Sequence, residues 1–336
     1  MLETVQSLLS KLSSNYTDRR VHVFEVEAES GEGEWVALTG KVLDDGVFNA
    51  LRSTLETQLP GLQVDYAGVK VLRCSSPQLK TVATNLTGLY ANPSWQAEML
   101  SQIFYGWKLE ILVECGKWAF VRQMDDYLGW AYLPYLTDSP SPEPTHLVIA
   151  PASYIREEST ISSQVVGRLL CGTAAQVVRW SNLWAEIDAQ VWGWVSASEL
   201  RALEDLPRLS SAERRSMIVA DATRLTGVPY VEGGCSAMGI DSAGFAQLLH
   251  RLVGIEIPRD ADMQCQAGRE VVPPFQPGDL LFFKGERENC SIAHTAVSLG
   301  GWRIIHSSRA RNGVYFDDVS DVPQLKQGFV GGRSFI

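Results

Sequence analysis

The pattern of apolar and polar positions predicts a small α+β module over residues 1–77. Apolar residues at helical spacing alternate here with short β-branched runs, which indicates helix, strand, strand, helix and strand in that order. The predicted elements are helices over 1–14 and 47–59, strands over 21–26 and 35–38, and a turn at 31–33 between those strands. No residue of this module indicates a catalytic or binding role.

The next two regions, 78–140 and 141–205, predict two short all-β units. Each carries β-branched runs and ends on a Gly-Trp pair, at Gly129-Trp130 and at Gly193-Trp194. A proline-rich stretch over 137–144 separates them and predicts a stiff linker. The repeated tryptophan and the Gly-Trp-Val ending resemble those of bacterial SH3-like domains.

The pattern of apolar and polar residues changes again over 206–336. Ser210 with Glu213 three residues later is a capping-box pattern and predicts a helix that runs to about 225. A second helix is predicted over 243–252, and apolar strands are predicted over 280–283, 293–299 and 302–306. Helices followed by an antiparallel sheet predict an α+β domain.

The candidate chemistry lies in this last region. The segment Gly239–Phe245 reads GIDSAGF and places Ser242 at the start of the second helix, where free N–H groups and the helix dipole favour negative charge. His294 and His306 follow on predicted strands. A nucleophile at a helix start, then a base and a ring-orienting residue, is the order of a papain-like thiol hydrolase, although the nucleophile position carries Ser.

Composition narrows the function classes. The net charge is −10, which argues against a general nucleic-acid binder. The six cysteines form no CxxC pair, so neither a zinc site nor a disulfide framework is predicted, and Cys235 is interpreted as structural. The first residues lack the pattern of a signal peptide and no stretch reaches 18 apolar residues, so we expect a cytoplasmic protein without membrane insertion.

Six ordered motifs in the last region resemble those of NlpC/P60 cell-wall peptidases. They are GVPYVEGG over 227–234, GIDSAGF over 239–245, IPRDA over 257–261, PGDLLFF over 277–283, AHTAV over 293–297 and IHSS over 305–308. Together with the two SH3-like units, the organisation resembles that of the γ-D-glutamyl-L-diamino acid endopeptidases, also called dipeptidyl-peptidase VI. The resemblance implies a papain-like fold over 206–336, preceded by two SH3-like barrels and the small α+β module.

The resemblance also implies roles for individual residues. Ser242 stands at the position of the catalytic Cys, His294 at that of the general base and His306 at that of the third residue. The substrate-binding positions that it implies are Asp241 beside the nucleophile, Asp260 for the free α-amine of an N-terminal L-Ala, Glu98 and Tyr127 capping the same pocket, Glu232 where an aromatic residue is usual, and Ala261 where Ser is frequent.

The resemblance therefore implies a hydrolase of the γ-D-Glu–diamino acid amide bond in murein peptides, acting without a cofactor or metal. The expected partner is a murein-derived peptide; the oligomeric state is not predicted. Since a serine hydroxyl is far less acidic than a thiol, we expect weak or no activity from the chain as written. The alternatives are an inactive murein-peptide binder, an engineered Cys-to-Ser variant of an active peptidase, and acyl transfer on the same fold.

Overall fold

The computed structural model describes residues 2–30, 35–73, 75–285 and 292–336. The turn predicted at 31–33 and two of the cysteines, Cys74 and Cys290, lie outside the described residues. The chain divides into two compact units, one formed by residues 1–79 with 109–130 and the other by 80–108 with 131–336.

The amino-terminal segment has the predicted order of helix, strand, strand, helix and strand. Its elements are α1 (Leu2–Ser13), β1 (Phe24–Ser30), β2 (Trp35–Val42), α2 (Asp45–Gln58) and β3 (Gln63–Val71). β1 pairs antiparallel with β2 and β2 pairs parallel with β3, so α2 is the crossover of a βαβ connection. Apolar faces of both helices pack on the sheet, with Leu9, Leu38 and Leu51 in the core. The α+β prediction is confirmed.

The segment from 78 to 137 consists of short strands. They are β4 (Gln78–Val82), β5 (Leu86–Tyr90), β6 (Met99–Phe104), β7 (Lys108–Cys115), β8 (Trp118–Arg122), β9 (Leu128–Tyr132) and β10 (Leu136–Thr137). The antiparallel pairs include β5 with β6 and β7 with β8. Of these strands, β6 matters most for the candidate site.

A second run of strands follows the proline-rich stretch. It comprises β11 (His146–Val148), β12 (Ala152–Arg156), β13 (Val165–Leu170), β14 (Ala174–Ser181), β15 (Trp184–Asp188), β16 (Gly193–Ser196) and β17 (Leu200–Ala202). They form one sheet in the order β13-β12-β16-β15-β14-β11-β17. The all-β expectation for this segment is confirmed, and closure into SH3-like barrels stays a prediction, as do the boundaries of the four domains.

The carboxyl-terminal segment is α+β. Its elements are α3 (Ser211–Arg224), β18 (Cys235–Ser236), β19 (Gly239–Ile240), α4 (Ser242–Arg251), α5 (Ala261–Ala267), β20 (Arg269–Val271), β21 (Leu280–Phe283), β22 (His294–Gly300), β23 (Arg303–Ser308), β24 (Gly313–Asp318), α6 (Pro323–Gly328) and β25 (Phe329–Ser334). Six of the strands form a sheet in the order β20-β25-β21-β22-β23-β24. The predicted capping box starts α3: Ser210 Oγ accepts from the Glu213 amide and Glu213 accepts from the Ser210 amide.

Helix α4 is the central element of this segment. All of its residues from Ser242 to His250 are buried, because the helix packs against β22, β23 and α3. Its apolar residues, such as Phe245 and Leu249, join Val297 and Ile305 of the sheet in one core. In the described residues, every helix is too short or too polar to span a membrane.

Candidate active site

Ser242 is the first residue of α4. Asp241 precedes it in extended conformation, and its side chain accepts the Gly244 amide at 2.7 Å, which caps the helix. Ser242 is 6% exposed, and its Oγ accepts a hydrogen bond from the Thr295 amide of β22 at 3.5 Å. The hydroxyl therefore lies at the positive end of a buried helix with a backbone donor directed at its oxygen.

A glycine at Gly244 permits this helix start. A Cβ at that position would approach the Gly234 carbonyl oxygen and would lie 3.0 Å from Cys235 Cα. Both neighbours are backbone atoms and cannot rotate away. The first turn of α4 can therefore lie against the preceding segment only because residue 244 has no side chain.

The two predicted histidines are brought together. His294 Nε2 lies 2.7 Å from His306 Nδ1, and the ring centroids are 4.9 Å apart at 68°. Burial lowers the pKa of the His294 ring to about 3, with His306 acting in the same direction, and the residue as a whole is half-buried. Burial also lowers the pKa of His306, against the opposing effect of Asp317. Both rings are therefore neutral near pH 7.

Asp317 and Arg311 extend this chain of polar groups, and the sequence analysis missed both. Asp317 Oδ2 lies 2.9 Å from His306 Nε2, and its Oδ1 accepts from Arg311 at 2.7 Å. Asp317 lies on β24 beside β23, where Ile304 pairs with Asp317. The sequence offers a single signal, a pair of acidic residues on a strand after the second histidine. It does not tell which of the two faces the ring.

Arg259 is a further residue for which no role was predicted from the sequence. It is 2% exposed and donates to the two carboxylate oxygens of Asp241 at 3.1 and 2.6 Å. It also donates to Ser101 Oγ of β6 at 3.1 Å. Burial alone would lower the pKa of Arg259, but the charge of Asp241 raises it well above its ordinary range. The guanidinium thus connects β6 to the residue before the nucleophile position.

Strand β6 makes further contacts with the segment that leads to Ser242. The Cys235 amide donates to Gln102 Oε1 at 2.9 Å, and Cys235 Sγ donates to the Gln102 carbonyl at 3.2 Å. Cys235 is 1% exposed, and burial raises the pKa of its thiol. Its interpretation as a structural residue is supported. A Cβ on Gly233 would meet the Met99 carbonyl, so glycine is required for this approach.

Glu232 is exposed and lies in the segment that precedes β18. Its carboxylate accepts the Tyr230 hydroxyl at 2.8 Å and lies 3.9 Å from Arg309. Burial raises the pKa of Tyr230, with Glu232 adding to the effect. Where the resemblance implies an aromatic residue, this chain therefore carries a charged pair.

The remaining predicted substrate-binding residues occupy several places. Asp260 precedes α5, is partly buried and lies 4.0 Å from Arg259, and Ala261 is the buried first residue of that helix. Glu98 is exposed and directly precedes β6. Tyr127 is 3% exposed and belongs to the other compact unit. Their roles in binding an amine stay predictions.

In the parts of the chain that the structure describes, no group of three or more His, Cys, Asp or Glu side chains is placed to hold a metal ion.

This segment is therefore α+β, with Ser242 at a helix start and His294 and His306 on an adjoining sheet. Residues 227–331 match the NlpC/P60 family. This carboxyl-terminal part of the chain is an NlpC/P60 domain. A crystal structure of an NlpC/P60 family protein from Bacillus cereus has the same fold, with a TM-score of 0.66 at 18% identity, covering 76% of this chain and 99% of that one.

Relatives of known name share modest identity with the chain. A γ-D-glutamyl-L-lysine dipeptidyl-peptidase from Bacillus cereus is 29% identical over 137 residues, which are 40% of each chain. One of the same name from Bacillus subtilis is 26% identical and covers 62% of this chain and 72% of its own length. Dipeptidyl-peptidase 6 from Lysinibacillus sphaericus is 26% identical and covers 71% of this chain and 91% of its own.

Proposed function

We propose that this chain recognises murein peptides with a free N-terminal L-Ala, at a site built to hydrolyse their γ-D-Glu–L-diamino acid bond. The observation that carries the proposal is the arrangement of Ser242 at the start of α4 with the joined pair His294 and His306, inside the matched NlpC/P60 domain. The relatives named γ-D-glutamyl-L-lysine dipeptidyl-peptidase support a peptide of this class as the ligand.

In the proposed reaction the group at position 242 attacks the amide carbonyl, and His294 takes its proton. His294 then gives this proton to the departing amine of the diamino acid as the C–N bond breaks, and water hydrolyses the acyl-enzyme that remains. His306 orients the ring of His294, and the amide of residue 242 contributes to the oxyanion hole. A thiol at the helix start would lose its proton readily beside an imidazole. A serine hydroxyl is much less acidic, and we infer that Ser242 makes the chain slow or inactive.

The proposed ligand pocket explains selection for a free amine. An ammonium group held between Asp260 and Glu98 has its charge compensated. A blocked or longer amino terminus would leave those carboxylates unpaired and would be excluded. We further propose a cytoplasmic role, in the recycling of imported wall fragments.

The test compares the chain with Ser242→Cys on L-Ala-γ-D-Glu-L-Lys and on the diaminopimelate peptide. We expect cleavage of the γ-D-Glu bond by Ser242→Cys, little or none by the chain as written, and none by Ser242→Cys/His294→Gln. The matched control substrate is the same peptide with an acetylated amino terminus, which we expect to be resistant. A Ser242→Cys variant that cleaves none of these peptides would refute the proposed reaction.

A second candidate function is a binding module, which the serine itself favours. Calorimetry with the uncleaved tripeptide distinguishes it: binding without turnover, lost on acetylation of the amine, supports a sensor of murein peptides. Absence of binding to both the L-Lys peptide and the diaminopimelate peptide contradicts either use of the pocket, as an enzyme or as a sensor. The codon at position 242 of the gene separates a natural serine from an engineered one, and competing amines in the Ser242→Cys assay separate hydrolysis from acyl transfer.

A further inference from the structure

A carboxylate that no sequence motif includes ends the chain of polar groups behind the nucleophile position. His294 Nε2 lies 2.7 Å from His306 Nδ1, His306 Nε2 lies 2.9 Å from Asp317 Oδ2, and Arg311 donates to Asp317 Oδ1 at 2.7 Å. His306 is 3% exposed, so water does not replace these partners. We propose that Asp317, held by Arg311, is a positioning residue that sets the tautomers of both histidines and leaves His294 Nδ1 unprotonated to act as the base.

The proton assignment follows from the types of the groups. An ionised carboxylate can only accept a hydrogen bond, so His306 Nε2 must carry a proton. A neutral imidazole has one N–H, and His306 Nδ1 is therefore an acceptor. The short contact to His294 then requires the proton on His294 Nε2. His294 is neutral as well, so its Nδ1 keeps a free lone pair.

The opposite tautomer is energetically unfavourable and would also leave His294 unable to act as a base. With its proton on Nδ1, His306 would present a lone pair to the Asp317 carboxylate at 2.9 Å, two acceptors in contact in a buried place. His294 would then accept at Nε2 and carry its proton on Nδ1, where it could take none from the nucleophile. The carboxylate thus selects the tautomer that is competent for general-base catalysis.

Arg311 fixes which oxygen of Asp317 faces the ring. Its guanidinium donates to Asp317 Oδ1 and to the Phe316 carbonyl, and it lies 4.6 Å from the centre of the Tyr315 ring. A guanidinium has no acceptor, so it will always attract an oxygen of residue 317. In Asp317→Asn the amide oxygen therefore turns toward Arg311 and the NH₂ group toward His306 Nε2.

Asp318 provides a matched control on the same strand. Its carboxylate accepts from the Ser320 amide at 2.9 Å and from the Ser320 hydroxyl. Asp318→Asn therefore changes the same chemical group one residue away, on a side chain that takes no part in the histidine chain.

The test uses the full chain with ¹⁵N-labelled histidine and records long-range ¹H–¹⁵N spectra at pH 7.5, without substrate. We expect His294 and His306 both protonated at Nε2 in the unmodified chain and in Asp318→Asn. In Asp317→Asn we expect both rings to shift to the Nδ1-protonated tautomer. A His306 protonated at Nδ1 in the unmodified chain, or unchanged tautomers in a folded Asp317→Asn variant, would overturn the proposal.

The catalytic consequence rests on the proposed function and is measured separately. In the Ser242→Cys background, we expect Asp317→Asn to lower kcat by about 10²- to 10⁴-fold with little change in KM. A loss of this order is expected when a catalytic histidine is held in the wrong tautomer. Asp318→Asn should leave kcat unchanged. An undiminished kcat in Asp317→Asn would also overturn the positioning role. If Ser242→Cys is inert, the proposed reaction fails while the spectra still decide the tautomers.

Discussion

Replacing Arg259 with methionine removes the charge that balances Asp241, the residue immediately before the nucleophile position. Methionine fills a similar volume, so the substitution mainly deletes charge and hydrogen bonds. Arg259 is 2% exposed and donates to both Asp241 oxygens and to Ser101. The variant leaves the carboxylate of Asp241, a residue that is 8% exposed, without its cation.

The expected cost follows from this burial. Breaking a buried ion pair by removing one partner destabilises a protein by about 3–5 kcal/mol. Asp241 keeps one compensating donor, the Gly244 amide at the helix start, so the lower end of the range, about 3 kcal/mol, is expected. Asp241→Asn keeps the cap because Asn is a good N-cap residue. The double variant buries no lone charge, and we expect a coupling free energy of about 2 kcal/mol between the two positions.

Hydrogen exchange of the amides over 241–247 measures this locally. A loss of about 3 kcal/mol corresponds to exchange about 10²-fold faster, since 1.4 kcal/mol is a factor of ten. The matched control is Arg309→Met, whose guanidinium is 83% exposed in its pair with Glu232 and is expected to contribute at most about 1 kcal/mol. Unchanged exchange in Arg259→Met, or additive effects in the double variant, would show that the Arg259–Asp241 ion pair does not stabilise the start of α4.

Two further predictions concern helix α4. His250 is fully buried, and burial lowers its pKa to about 4. Between pH 6.5 and 4 the unfolded chain therefore binds a proton at His250 that the folded chain does not. The free energy of unfolding falls as the pH drops through this range. We expect His250→Leu to reduce the loss of unfolding free energy between pH 7 and 4.5, measured with urea, by about 2–3 kcal/mol, and an equal loss in both proteins would contradict this. Gly244→Ala should destabilise the domain by about 1–3 kcal/mol despite its better helix propensity, because the new Cβ meets backbone of Gly234 and Cys235. Gly46→Ala, in the first turn of α2, meets only the Asp44 side chain and is the control; equal unfolding midpoints in the two variants would argue against the packing explanation.

Local patterns were sufficient to predict α3, α4, β21, β22 and β23 of the carboxyl-terminal segment, but not β24, which carries Asp317. The capping box at Ser210 and Glu213 marks the start of α3, and the segment around Ser242 marks the start of α4, because caps and apolar periodicity act within a few residues. The spacing of His294 and His306 on apolar runs predicts two strands. Ser242, His294 and His306 could therefore be selected as candidates before any tertiary information.

The partners of these residues depend on contacts between distant parts of the chain. Asp317 meets His306 because of the register between β23 and β24, and Arg259 meets Ser101 because β6 packs on the segment before α4. Strand register and domain packing depend on the whole buried surface, and a neighbouring Asp318 is indistinguishable in sequence from Asp317. Residue identity is a property of the sequence, so the serine at position 242 is known without any structure. The charges near Ser242 and the hydrogen-bond partners of His294 and His306 are fixed by tertiary contacts, because those partners come from different strands.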